Sequence, residues 1–177
     1  MIKKINDVGI AVKDLERTIE FFEKTYSAKL VWRIKYEDQK IESALIAIGE
    51  VRFEITASLD SQSVIAKFIE EKGEGIHHVS LEVDQFDNVI KEFKTKGLRI
   101  IAEADTKNFK TAFIHPQGNY GMLTEIIEQK RGDMLGGWTE TNRLIKITIC
   151  NINWLFSGLY IQGSLLNKQT KSSLEHV

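Results

Sequence analysis

Apolar and polar positions alternate with a period of two over residues 5–12, where Val8, Ile10 and Val12 share one face and Asp7, Gly9 and Ala11 the other. That alternation predicts a half-buried strand. The period then lengthens. Leu15, Ile19, Phe22 and Tyr26 form an i, i+4, i+7, i+11 stripe behind Asp14, a residue type suited to cap a helix. Strand-like runs follow over 29–35, 41–48 and 51–58, with Gly49-Glu50 as a tight turn between the last two. In the third run Arg52, Glu54 and Thr56 face away from Val51, Phe53 and Ile55. A short helix is predicted over 62–72, capped by Asp60 and Ser61, with Val64, Ile65, Phe68 and Ile69 as its apolar stripe and Gly73 closing it.

The same order then recurs. A strand over 76–83 leads to a helix carried by Phe86, Val89, Ile90 and Phe93 and stopped by Gly97. Strands over 98–104, 110–115 and 121–127 complete it, with loops at 105–109 and 116–120 between them. Alternation puts His77 with Val79, Leu81 and Val83, and His78 with Ser80 and Glu82, so the two adjacent histidines are predicted to point in opposite directions. The recurrence keeps one constant offset throughout. Ile5 falls on Ile76, Asp7 on His78, Ile10 on Leu81, Ile19 on Ile90, Phe22 on Phe93 and Glu54 on Glu125. One βαβββ unit therefore occurs twice.

The implied fold class is α+β: two paired βαβββ modules, about 3–58 and 75–129, joined by a linker helix over 61–72. Each module has one apolar face for its helix and one bare concave face. Side by side they make a half-open, barrel-like sheet around a pocket. Residues 1–129 form this domain, and 130–177 is a C-terminal extension outside the repeat. The extension holds an apolar stretch over 144–161, which Lys146, Asn151 and Asn153 make a poor membrane span.

A length of 177 residues suffices for one well-buried domain of this kind. The net charge of -1, with 28% charged residues, gives no basic block for nucleic acid. The first residues lack the apolar run of a signal peptide, and the single cysteine, Cys150, suits a reducing compartment. The expectation is a cytoplasmic protein without nucleic-acid or membrane partners.

Four side chains stand out because the repeat pairs them: Asp7 with His78, and Glu54 with Glu125. Each lies on a predicted strand, and Asp7, Glu54 and His78 lie opposite the apolar face of theirs. Taken singly, such residues are usually solvated or structural. Taken as two pairs at one offset, they can converge on the pseudo-twofold axis and offer oxygen and nitrogen donors to a divalent ion. Glu125 shares its face with Leu123 and Ile127. Glu42 has Phe113 as its repeat partner and so falls outside the pattern. On the second strand of its module's sheet it could reach the same pocket, where a carboxylate beside a cation can take a proton from carbon next to a carbonyl. A solvated strand glutamate is the alternative. His77 reads as structural, His115 as a loop-end residue able to cap or touch a ligand, and Cys150 as inert.

Three segments carry a resemblance: INDVGIAVKDLERTIEFFE, SVIAKFIEEKGEGIHHVSLEVD and TAFIHPQGNYGMLTEIIE. Over about residues 3–129 they resemble the methylmalonyl-CoA epimerase family of the vicinal-oxygen-chelate superfamily, which includes glyoxalase I and extradiol dioxygenases. The resemblance implies paired βαβββ modules, a homodimer, and one divalent metal per pocket, with Co, Mn, Zn and Mg as candidates. Its implied ligands are Asp7, Glu54, His78 and Glu125, and Glu42 matches the proposed general base. The implied reaction interconverts the (2R) and (2S) forms of methylmalonyl-CoA, making an acyl-CoA the expected substrate. Two departures from the pattern bear on the site. Asp7 stands where the family normally has histidine, which favours harder ions such as Mn²⁺ or Mg²⁺. Gln117-Gly118 follow His115-Pro116 where Lys-Ser is common. A glyoxalase I-like isomerase acting on glutathione hemithioacetals and a metal-free small-molecule binder are the alternatives on the same scaffold.

Overall fold

The structure, a computed structural model, describes residues 1–130. The extension expected over 130–177 therefore lies, from residue 131 on, outside the described residues. Eleven elements follow in the order β1 (Ile2–Val12), α1 (Leu15–Tyr26), β2 (Lys29–Tyr36), β3 (Ile41–Ile48), β4 (Val51–Ser58), α2 (Val64–Lys72), β5 (Gly75–Val83), α3 (Phe86–Thr95), β6 (Ile100–Asp105), β7 (Phe109–Ile114) and β8 (Thr124–Gln129).

Local chemistry sets the boundaries. Asp14 caps α1 by accepting the Arg17 N–H at 3.0 Å, as its position in the sequence suggests. The cap of α2 is Ser63 rather than Asp60 or Ser61, its Oγ accepting the Ala66 N–H at 3.0 Å. Asp60 is engaged one turn earlier, where its carboxylate accepts the Gln62 N–H. The last strand starts at Thr124 instead of 121, because Tyr120 and Gly121 both take positive φ in the turn before it.

All eight strands form one sheet in the order β2-β3-β4-β1-β5-β8-β7-β6. The order is a palindrome in module terms, with β1 and β5 antiparallel at the seam and each parallel to its own module's last strand, β4 or β8. The twofold relation read from the sequence is thus a relation across the β1–β5 ladder. Each module buries one helix. Leu15 and Ile19 of α1 pack with Ala44, Ile46 and Ile55, and Phe86, Val89 and Ile90 of α3 pack with Ala112, Ile114 and Ile126. At roughly 1.5–3 kcal/mol per fully buried large side chain, these two clusters hold the helices to one face of the sheet. The other face curves into a bowl. Helix α2 closes one end of it, with Ile65 packed on Ala11 and Ile41.

The β1–β5 ladder carries two bulges beside the bowl. Ile5 pairs with Leu81 but Asp7 with Ser80, so Asn6 is the extra residue on β1. Gly9 pairs with His78 but Ile10 with Ile76, so His77 is the extra residue on β5. A bulge resets the alternation of side chains. Both His77 and His78 consequently line the bowl, where strict alternation puts them on opposite faces.

Candidate metal centre

The bowl is walled by Trp32, Tyr36, Ile41, Leu45, Phe113 and Ile127, and its polar floor lies at the seam. Asp7 on β1, Glu54 on β4 and His78 on β5 meet there. His78 Nε2 is 3.8 Å from Asp7 Oδ1 and 3.8 Å from Glu54 Oε2, and ligand atoms of all three lie within 4.8 Å of one another. Two atoms each about 2.1 Å from one ion can stand at most about 4.2 Å apart. Both histidine–carboxylate separations are within that reach.

The hydrogen bonds around the three residues point the same way. Asp7 Oδ2 accepts from Asn6 Nδ2 at 2.6 Å, while Asp7 Oδ1 is buried without a partner. His78 Nδ1 lies 3.1 Å from His77 Nδ1, while His78 Nε2 is buried without a partner. A buried polar atom left unpaired costs about 1–3 kcal/mol. Here two such atoms face each other across the distance a cation would fill, so the residues present fit a divalent ion.

Glu125 lines the same floor but stands outside the group of three. Its Oε2 accepts from Ser80 Oγ at 2.7 Å and its Oε1 from Thr111 Oγ1 at 2.8 Å. Each oxygen keeps a second lone pair, so the tethers orient the carboxylate without saturating it.

Glu42 does not reach the bowl. On β3 the residues that line it are Ile41, Ser43 and Leu45, whereas Ala44 and Ile46, which share the parity of Glu42, pack under α1. The Glu42 carboxylate instead accepts from Arg33 Nε at 2.8 Å, and Arg33 Nη1 reaches Glu16 of α1 at 2.6 Å. The expected general base is thus a tie between sheet and helix on the far face. Glu42→Gln is expected to leave turnover within about threefold of wild type and to cost roughly 0.5–1 kcal/mol in denaturant unfolding. A drop in turnover of a hundredfold or more would restore it to the chemistry.

Several neighbours to which sequence reasoning gives no role complete the site. Ser80 and Thr111 hold Glu125, and Ser43 and Thr56 share a hydrogen bond of 2.8 Å beside Glu54. Arg52 lines the bowl on the strand next to Asp7. Strand parity puts Arg52 and Thr56 on the face of Glu54, and Ser80 on that of His78, without assigning them a role; Thr111, on a different strand, carries no such signal.

Three carboxylates on the floor of one bowl repel one another. Burial, with the charges of Glu54 and Glu125 added, pushes the Asp7 carboxyl up to about 8, against the pull of the Asn6 amide. Burial and then Glu125 push Glu54 up to about 7. Burial raises Glu125 too, against its two hydroxyl tethers. Burial lowers His78 to about 4 and His77, with His78 adding to the effect, to about 3.

A carboxyl raised by folding makes the folded state bind more protons than the unfolded chain, so its contribution is lost as pH climbs toward the folded value. The histidines act oppositely below about 6.5, where the unfolded imidazoles are charged and the folded ones neutral. Between pH about 6.5 and about 8 the carboxylates act alone. Chelator-treated protein should therefore lose thermal stability across that interval, and saturating Mn²⁺ should flatten the slope. A melting temperature independent of both pH and Mn²⁺ there would contradict a shared cation site.

Residues 6–114 match the family model of the Glyoxalase/Bleomycin resistance protein/Dioxygenase superfamily. Mitochondrial methylmalonyl-CoA epimerase of Bos taurus is 28% identical over 127 residues, covering 70% of this chain and 73% of the relative. The crystal structure of methylmalonyl-CoA epimerase from Mycobacterium tuberculosis is 30% identical with a TM-score of 0.67, covering 73% of this chain and 89% of that one. A hypothetical protein from Bacillus halodurans C-125 is 32% identical with a TM-score of 0.68, covering 73% of this chain and 96% of that one. The chain belongs to the Glyoxalase/Bleomycin resistance protein/Dioxygenase superfamily, with methylmalonyl-CoA epimerases among its relatives.

Proposed function

We propose that this protein is a metal-dependent epimerase that interconverts (2R)- and (2S)-methylmalonyl-CoA by removing and returning the C2 proton. The observation that carries the reading is the meeting of Asp7, Glu54 and His78 at one point in a largely apolar bowl. These three residues would hold a divalent cation, with Glu125 as the fourth ligand. When bound, the ion supplies Lewis-acid charge that favours the enolate over the thioester ground state. The remaining work belongs to the chain. Trp32, Leu45, Phe113 and Ile127 exclude water around C2, which strengthens every charge interaction inside. Arg52, the one arginine or lysine lining the bowl among the described residues, gives the anionic substrate a counter-charge. With Glu42 on the far face, the groups on the bowl that can take up or return a proton without serving in the triad are Glu125, Tyr36 and His77. The test is exchange of the C2 proton of methylmalonyl-CoA in deuterated water with Co²⁺ or Mn²⁺ supplied. Exchange well above the metal-free blank is expected, and none would overturn the reading, as would turnover of a glutathione hemithioacetal alone.

A homodimer belongs to this proposal. Ile5 pairs with Leu81 and Ile76 with Ile10, so both lie on the helix-side face of the seam, yet they are 60% and 66% exposed. Neither α1 nor α3 reaches them, and a second copy would cover them. Sedimentation equilibrium should read a dimer that Ile76→Glu dissociates; a wild-type monomer would contradict it. The cytoplasm is the proposed compartment, motivated by the single cysteine and tested by cell fractionation. Among the described residues no helix is long and apolar enough to cross a membrane.

A further inference from the structure

The two bulges do more than bend the seam. Asn6 and His77, the extra residues, are separated by the same offset that relates Asp7 to His78. Each bulge therefore turns two consecutive side chains into the bowl, a proposed ligand and the residue before it. In both copies the preceding residue bonds to one polar atom of the ligand. Asn6 Nδ2 donates to Asp7 Oδ2, and His77 Nδ1 meets His78 Nδ1. In both copies the atom left over, Asp7 Oδ1 or His78 Nε2, is the unpartnered one facing the other across 3.8 Å.

We infer that Asn6 and His77 are positioning residues that select which atom of Asp7 and of His78 is offered to the cation. The inference rests on the proposed metal site and adds the device that orients it. An imidazole that ligates through Nε2 must carry its proton on Nδ1. His78 Nδ1–H then donates to the His77 Nδ1 lone pair, which fixes the ring's rotation and tautomer together. The His77 ring is itself held edge-on against Phe68 of α2, at 4.9 Å between centroids. On the other strand, the Asn6 amide engages Oδ2 and turns the unpartnered Oδ1 toward the ion.

The test compares His77→Phe, which keeps a ring against Phe68 but removes the acceptor, with His77→Gln, which restores an acceptor oxygen. Co²⁺ affinity is measured by competition with a chelating dye, and the visible spectrum of the Co²⁺ protein reports ligand geometry. His77→Phe is expected to weaken Co²⁺ binding about 10–100-fold and alter the spectrum, with His77→Gln recovering most of both. Asn6→Ala should weaken binding in the same range and is read independently should His77→Phe fail to fold. Wild-type affinity and spectrum in His77→Phe and Asn6→Ala would overturn the inference. So would a His77→Gln protein as impaired as His77→Phe, since that marks loss of packing. His78→Ala serves as the control: if it keeps wild-type Co²⁺ affinity, the metal site itself fails, whereas loss of Co²⁺ in His78→Ala alone condemns only the positioning role.

Discussion

His78→Ala is expected to lower Mn²⁺ or Co²⁺ affinity by at least about 100-fold and epimerase turnover by about 1,000-fold, while the protein stays folded. A Lewis-acid contribution of several kcal/mol is at stake, and every step of about 1.36 kcal/mol is a factor of ten in rate. His78 is the only nitrogen donor among the proposed ligands, and its Nε2 stands 3.8 Å from both Asp7 and Glu54. Without it, two carboxylates already raised by burial and mutual repulsion face each other with nothing between them. The fold tolerates the change because His78 belongs to the floor of the bowl, and neither helix-bearing cluster includes it. Circular dichroism confirms folding, chelator competition reads affinity, and C2 proton exchange reads rate. Turnover within tenfold of wild type in a folded His78→Ala protein would remove the imidazole from the chemistry.

The second large effect is expected at a residue that touches no substrate. Gly9 pairs with His78 across the seam, and the imidazole lies over its Cα. A Cβ placed at Gly9 would overlap His78 Cε1 and Nδ1 and stand 2.7 Å from Nε2. The ring has little freedom to slide sideways, since it meets both Phe113 and His77 edge-on, at 5.8 and 5.4 Å between centroids. Gly9→Ala should therefore drive His78 out of its rotamer. The cost in stability is about 1–3 kcal/mol, typical of one added methyl in a packed site. The cost in metal affinity should be far larger, about 100-fold or more, because a displaced ring no longer presents Nε2 to the ion. That separation is the diagnostic feature: thermal melting of the chelated protein should shift by roughly 2–12 °C, while Co²⁺ binding nearly disappears. Equal Co²⁺ affinity in wild type and Gly9→Ala would mean that the imidazole is not the ligand.

Much of this is legible in the chain. The constant offset between the two copies sets Asp7 beside His78 and Glu54 opposite Glu125, because a duplicated βαβββ unit brings equivalent positions to one axis. Alternation also puts Gly9 on the face of Asp7, and the space a side chain would take there is filled by the His78 ring. Two features are hidden. The bulges at Asn6 and His77 insert a residue and reset the period, and no local pattern in a single strand announces such an insertion. Strict alternation accordingly gives His77 the wrong face. Glu42 misleads for a different reason. Its motif match points to the bowl, while its parity with Ala44 and Ile46 puts it under α1, and the steric logic of the pleat prevails. Ser43, the next residue along, is the one that faces the site.

The most direct test is anomalous diffraction from crystals of the protein soaked in Mn²⁺ and collected near the manganese edge. A single strong peak is expected at the seam of β1 and β5, about 2.0–2.3 Å from Asp7 Oδ1, a Glu54 carboxylate oxygen and His78 Nε2. Saturating Mn²⁺ with no peak among these three side chains, or a peak held only by other residues, would contradict the site and the epimerase reading built on it.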